Sequence, residues 1–199
     1  STHQESLNIN IGTKRTQTAI SVLYQNNHRI EKKNEADKYN INFRNKTKLF
    51  NWLDFSLNGT YTYTKNNNSG YGIPDMSPYE MLVDNSGNLL RYSGGVSLNY
   101  LDRHVPMENF PYTDWTFNPI EEMNNRNLKS YSTLARVQGG LTFKIIPCLT
   151  IYTKAQYELI QGRSHNYYNE NTYYVRNMIN QAVTWDRTTD NVSVNLPTG

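Results

Sequence analysis

The side chains best suited to acid–base, nucleophilic or metal chemistry are dispersed along this sequence. His3, His28, His104 and His165 lie far apart, and none has a Cys, His or carboxylate at metal-ligand spacing. Cys148 has no partner for an internal disulfide, and beside Pro147 it reads as a small turn residue rather than a nucleophile. Glu121 and Glu122 would make an acid and a base, but adjacent residues at a helix start point apart. They read instead as first-turn charges that complement the helix dipole.

No nucleophile elbow, phosphate-binding glycine loop or zinc-protease helix is present. Gly94-Gly95 and Gly139-Gly140 lack phosphate-loop context, and the second pair falls inside a strand, where Gly marks a bulge or bend. Asp84-Asn85-Ser86-Gly87-Asn88 is turn chemistry without the ligand spacing or closing Glu of an EF-hand. The Asn-x-Ser/Thr matches at Asn45, Asn58, Asn67 and Asn191 are what an Asn-rich chain produces by chance. These residues predict no catalytic group, no metal and no cofactor, and the chain does not read as an enzyme.

Recognition chemistry remains. Tyr71, Tyr79, Tyr92, Tyr100, Tyr112 and Trp115 lie among many Asn and Asp residues. Aromatic faces beside amides and carboxylates suit sugars or extended peptides, which stack and hydrogen-bond at once. The same rings can instead pack a loop against itself or a partner. Tyr79, Tyr92, Tyr112 and Trp115 are the candidate ligand-binding residues.

Composition constrains the elements that would position them. Hydrophobic residues make up 37% and aromatics 13% of the 199 residues, 16 of them Tyr, and mean hydropathy is −0.76. This is too polar for a helical membrane protein and too aromatic for a disordered one. The 20 basic and 17 acidic residues are spread along the chain, Lys32-Lys33 being the longest basic run, so no nucleic-acid footprint is seen. No apolar run approaches the roughly 20 residues of a spanning helix, so any membrane insertion would use strands. Ser1 and the closing Leu196-Pro197-Thr198-Gly199 do not resemble natural termini, which suggests a piece of a longer chain.

Period-two alternation supplies the strands. It predicts them at about 5–12, 16–24, 38–48, 53–64, 130–145 and 149–159, with long loops at 25–37, 65–129 and 160–199. The clearest is Leu53, Phe55, Leu57, Gly59, Tyr61 and Tyr63 against Asp54, Ser56, Asn58, Thr60 and Thr62. Eleven such residues match a tilted strand that crosses a bilayer. Ser77-Pro78-Tyr79-Glu80 predicts a short helix through about Val83, and Asn118-Pro119-Ile120-Glu121 repeats the start signal.

The six strands form three hairpins whose short turns all fall at one end, the asymmetry of outer-membrane barrels. Tyr24, Tyr39, Tyr61 and Tyr63 gather at the long-loop end and Trp52 at the short-turn end, as aromatic girdles do. The expected fold is all-β, a section of an antiparallel up-and-down transmembrane β-barrel with long extracellular loops, residues 1–199 forming part of one barrel domain. Six strands cannot close round a polar lumen, since the smallest such barrels have about eight, so further strands must complete the sheet.

Lys38-Tyr39-Asn40-Ile41-Asn42-Phe43-Arg44 followed by Asn51-Trp52-Leu53-Asp54-Phe55-Ser56-Leu57-Asn58-Gly59-Thr60-Tyr61 resembles the strand rhythm of SusC/RagA-like TonB-dependent transporters. Met76-Ser77-Pro78-Tyr79-Glu80, Asp84-Asn85-Ser86-Gly87-Asn88-Leu89, Asn118-Pro119-Ile120, Tyr174-Val175-Arg176-Asn177-Met178-Ile179-Asn180 and Leu196-Pro197-Thr198-Gly199 are similar to that family's loop motifs, in the same order. The resemblance implies a barrel of about 22 strands with an N-terminal plug and a TonB-binding segment outside these residues. It also implies a SusD-like surface lipoprotein partner, energised import of oligosaccharides or oligopeptides, contact with lipid, and the outer membrane of a Gram-negative bacterium. The alternative from another class is a soluble β-sandwich or carbohydrate-binding module with no transport role. A sandwich buries its apolar faces against a second sheet, whereas a barrel turns them to lipid.

Overall fold

The computed structural model describes residues 1–29, 33–71 and 79–194. In chain order the elements are β1 (Thr2–Gly12), β2 (Thr16–His28), β3 (Glu35–Phe50), β4 (Leu53–Asn68), β5 (Tyr92–Ser93), α1 (Leu98–His104), a single 3-10 turn (Met107–Asn109), β6 (Thr116–Phe117), α2 (Pro119–Asn125), β7 (Arg126–Ile146), β8 (Leu149–Tyr168), α3 (Tyr173–Gln181), β9 (Val183–Asp186) and β10 (Asn191–Val194). They group into two compact units. One joins Ser1–Asn67 to Lys129–His165, and the other joins Asn68–Leu128 to Asn166–Gly199.

The first unit is a six-stranded sheet in the order β1-β2-β3-β4-β7-β8. Its first three pairings are antiparallel, with Leu7 opposite Val22, Val22 opposite Ile41 and Ile41 opposite Tyr61. The next register carries Asn8, Ser21, Asn42 and Thr60 across the same strands. Because side chains alternate across a strand, the first row lies on an apolar face and the second on a polar one. The sequential, all-β sheet is what the alternation predicts. Its edges are β1 and β8, so the sheet is open among the described residues.

Side chains of the apolar face are exposed among the described residues. Leu7 is 60% exposed, Ile11 65% and Leu159 51%, whereas Leu101, Phe110 and Pro119, which are buried, belong to the second unit. At the long-connection end Tyr24, Tyr39 and Tyr63 form a chain of ring contacts at 5.0 and 6.2 Å. At the short-turn end Phe50, Trp52 and Phe143 stack at 5.5 and 6.2 Å.

The strands outrun the sequence expectation at this long-connection end. β2 and β3 pair as far as His28 and Glu35, β4 reaches Asn68, β7 starts at Arg126 and β8 runs to Tyr168. Loops expected at 25–37, 65–129 and 160–199 are therefore shorter or structured. Gln25–His28 and Gln161–Tyr168 lack alternating apolar residues, but ladder hydrogen bonds need none, and an established register extends through polar residues.

The irregular stretch expected after Gln161 also holds α3 and the hairpin β9–β10, with Asn191 opposite Asp186. The Gly139-Gly140 pair lies within the continuous β7. A Cβ on Gly140 would sit 2.5 Å from Ser56 Oγ and 3.5 Å from Lys154 Cγ, so this Gly answers side-chain crowding from both neighbouring strands.

The second unit is built from turns and short helices. Asn118 caps α2 as expected, its Oδ1 accepting from Ile120 N at 2.9 Å with Pro119 in the first turn. The helix expected to end near Val83 is not formed over Tyr79–Val83, and its start at Ser77-Pro78 lies outside the described residues. Val83 instead bridges Leu89 in extended geometry. Asp84 organises the turn between them by accepting from the N–H groups of Ser86 and Asn88 at 2.8 Å each, with Gly87 at φ +86°.

Candidate functional site

Two surfaces carry enough polar chemistry to act on a ligand, one in each unit. The first is the polar face of the sheet. Asn40 donates to Thr62 Oγ1 at 2.7 Å, Asn42 donates to Asn40, and Thr60 donates to Asn42 Oδ1 at 3.1 Å. Farther along, Asn58 donates to Gln138 Oε1 at 3.3 Å. Two shallow depressions of about 460 Å³ each open on this face, one beside Asn10, Gln17, Arg44 and Lys46, the other beside Arg44, Asn58, Arg136 and Gln156. Alternation places these side chains, so a one-residue slip would bring residues such as Ile41, Phe43 and Leu57 to this face in place of Asn42, Arg44 and Asn58.

The second surface is held by a polar core. Thr172, Asn118, Glu122, Asn180 and Arg176 are all buried. Thr172, Arg176 and Asn180 recur every four residues and so share one face of α3, Thr172 capping it through Val175 N at 3.2 Å. Asn180 closes a pair with the Tyr112 backbone, accepting at 3.1 Å and donating at 2.8 Å. Arg176 donates to Asp114 Oδ2 at 3.1 Å and to Thr116 O at 2.7 Å. Arg91 joins Asp114 to Glu121.

Asn118 does more than cap. Its Nδ2 donates to Leu82 O at 2.9 Å and Leu90 O at 2.6 Å, which pins both flanks of the Asp84 turn to α2. Glu122 lies in the first turn of α2 as expected, and it is also 3% exposed and accepts from Tyr173 N. Burial pushes its carboxyl above the ordinary range, against the opposing pull of that N–H and of Arg126 and Arg176. Burial would also raise Asp114, but hydrogen bonds from the Thr116 hydroxyl and N–H, then Arg176 and Arg91, outweigh it and hold that carboxyl low.

Aromatic rings line the same unit. The Arg126 guanidinium lies over Tyr71 at 5.2 Å and Tyr168 at 4.5 Å, and Tyr168 stacks on Tyr174 at 4.6 Å. Tyr71 meets Phe117 edge-on, and Phe117 meets Tyr173.

The four sequence-predicted ligand residues do not form one cluster of ring contacts among the described residues. Tyr79 is 94% exposed. Tyr92 lies in β5 with its hydroxyl on Met81 O. Tyr112 is held by Asn180. Trp115 packs edge-on against Phe110 at 5.2 Å, its Nε1 buried without a partner. Sequence reasoning missed Arg126, Asp114, Glu122 and the Thr172–Arg176–Asn180 stripe; the four-residue spacing of that stripe was the available signal. No protein-family model and no curated protein matches this chain.

Proposed function

We propose that this chain is a section of a TonB-dependent outer-membrane nutrient transporter that imports oligosaccharides or oligopeptides with a SusD-like surface lipoprotein. One observation carries the reading: a six-stranded antiparallel sheet presents an exposed apolar face, bounded by ring clusters at both ends, opposite a hydrogen-bonded polar face. Lipid is the solvent that stabilises such an apolar face, and a water-filled lumen is what the polar face fits. The three tight connections, residues 13–15, 51–52 and 147–148, all join strands at one end of the sheet. The motif order supplies the TonB and lipoprotein part of the proposal, and the missing wall of the barrel belongs to strands beyond β1 and β8.

In the sandwich alternative, a second sheet would have to cover Leu7, Ile41, Tyr61 and Leu159. The short ladders β5–β6 and β9–β10 have two and four residues per strand, too small for that area. Fractionation of cells that make the protein tests the proposal. It is expected in the outer-membrane fraction and to need detergent for extraction. Recovery in the aqueous fraction without detergent refutes it.

A further inference from the structure

Charge on the polar face of the sheet is unbalanced. Arg44, Lys46 and Lys48 of β3, Arg136 and Lys144 of β7 and Lys154 of β8 share it with the carboxylates of Asp54 and Glu158. Lys144 Nζ pairs with Asp54 at 2.8 Å and Arg136 Nε with Glu158 at 2.5 Å. Both acids are thereby taken, and Gln156 adds a further hydrogen bond to Glu158. Arg44, Lys46, Lys48 and Lys154 are exposed and make no ion pair among the described residues. Lys14 and Arg15, in the β1–β2 turn, extend the cationic surface around Lys46 and Lys48.

The surroundings of these cations narrow the ligand. Arg44 opens into both depressions, beside Asn42, Asn58, Thr60 and Gln138. Amides and hydroxyls that both donate and accept match sugar hydroxyls, and a guanidinium two residues from an ammonium on one strand face, about 7 Å away along the strand, matches carboxylates carried on a chain. The lining of the second depression has one large apolar side chain, Phe43, so it offers little to the side chains of a peptide.

We infer that this wall selects carboxylate-bearing oligosaccharides over neutral ones, with Arg44 and Lys46 pairing the carboxylates and the neighbouring amides taking the hydroxyls. The inference rests on the transporter reading and names its substrate class. The cationic ladder supplies specificity and capture, because unpaired charge in a groove raises the local concentration of counter-charged solute.

Calorimetric titration of the full chain in detergent micelles, with trigalacturonate and with neutral maltotriose, tests it. Trigalacturonate is expected to bind at least about tenfold more tightly, and Arg44→Gln or Lys46→Gln each to weaken it about fivefold, the value of one solvated ion pair. Arg44→Lys should restore most of the loss, added salt should weaken trigalacturonate alone, and Asp54→Asn, which frees Lys144, should strengthen binding.

Equal or undetectable binding of the two sugars overturns the inference. So does unchanged affinity in Arg44→Gln and Lys46→Gln chains whose strand circular dichroism is intact. Tighter binding of triglutamate than of trigalacturonate also overturns it, assigning the wall to acidic peptides. A chain that needs detergent but shows no anion preference loses this inference alone, whereas one that stays aqueous loses the transporter reading.

Discussion

Leu57 and Asn58 are neighbours in β4 that face opposite solvents on the transporter reading, so the same substitution at each should have different costs. Trp52 and Tyr63 mark the two ring clusters, and the eleven residues from one to the other span about 37 Å along an extended strand. Tilted by about 40°, that length rises about 28 Å, close to the height of the apolar band in an outer-membrane barrel. Leu57 lies five residues from Trp52 and six from Tyr63, near the midplane.

Leu57→Lys should then cost about 2–4 kcal/mol. Asn58→Lys, beside Gln138 on the polar face, should stay within about 0.5 kcal/mol. Leu57→Trp adds the arm that separates lipid from a dry protein core, since overpacking a core costs about 1–3 kcal/mol whereas fluid acyl chains yield. Guanidinium unfolding of the complete barrel that contains this section, refolded into phospholipid vesicles and followed by tryptophan fluorescence, reads all three. The reasoning fails if Leu57→Lys is no costlier than Asn58→Lys, or if Leu57→Trp is as damaging as Leu57→Lys.

Asn118→Ala removes a cap and two donations to the half-buried carbonyls of Leu82 and Leu90, so α2 and the Asp84 turn should lose about 2–3 kcal/mol together; hydrogen exchange of peptides over 82–90 and 118–125 should rise in both or the link between them is wrong. Glu122→Gln tests the raised carboxyl: a raised folded pKa gives stability that is present below the ordinary glutamate range and lost as pH rises through the folded value. The variant keeps an acceptor for Tyr173 N, so its α3 amides should exchange more slowly than wild type at pH 7 and equally at pH 4, and equal rates at both would refute it. Asp114 runs the other way, its depressed pKa giving stability above the ordinary aspartate range that is lost as pH falls through the folded value; Asp114→Asn should therefore loosen α3 at pH 7 and matter less below pH 3, as exchange at Arg176 would show. Gly140→Ala should destabilise the sheet by about 1–2 kcal/mol through the Ser56 Oγ clash, and Ser56→Ala in the same chain should recover most of it; additive losses would mean that the clash is not the cause.

The sheet was legible because its two faces carry different side-chain chemistry. Residues such as Ile41 and Asn42 cannot exchange roles, so alternation survives in the sequence and reveals strand, face and hairpin together. Strand ends were not legible, since His28 and Glu35 pair through the ladder and a side-chain contact at 3.6 Å, neither of which leaves an apolar period. The second unit was largely opaque for a different reason. Its order comes from partners distant in sequence, Glu122 with Tyr173 and Tyr112 with Asn180, 51 and 68 residues apart. No local period records such pairs. The caps are local, and Asn118 was found for that reason. Val83 failed for the converse reason: a helix start signal was present, and the nearby Asp84 turn drew the segment into an extended bridge.

Among the described residues β1 and β8 each pair on one side, which leaves a row of backbone donors and acceptors along both flanks. In hydrocarbon each unmet group costs several kcal/mol, so on the transporter reading the sheet could not enter a bilayer ahead of the strands that complete it. On the transporter reading, closure and insertion would then be one concerted kinetic event, its slow step a meeting of chain segments far apart in sequence rather than hairpin formation. Turns such as residues 13–15 would set local register within microseconds, and the rate of assembly would be governed by whatever holds the two flanks sealed until they meet.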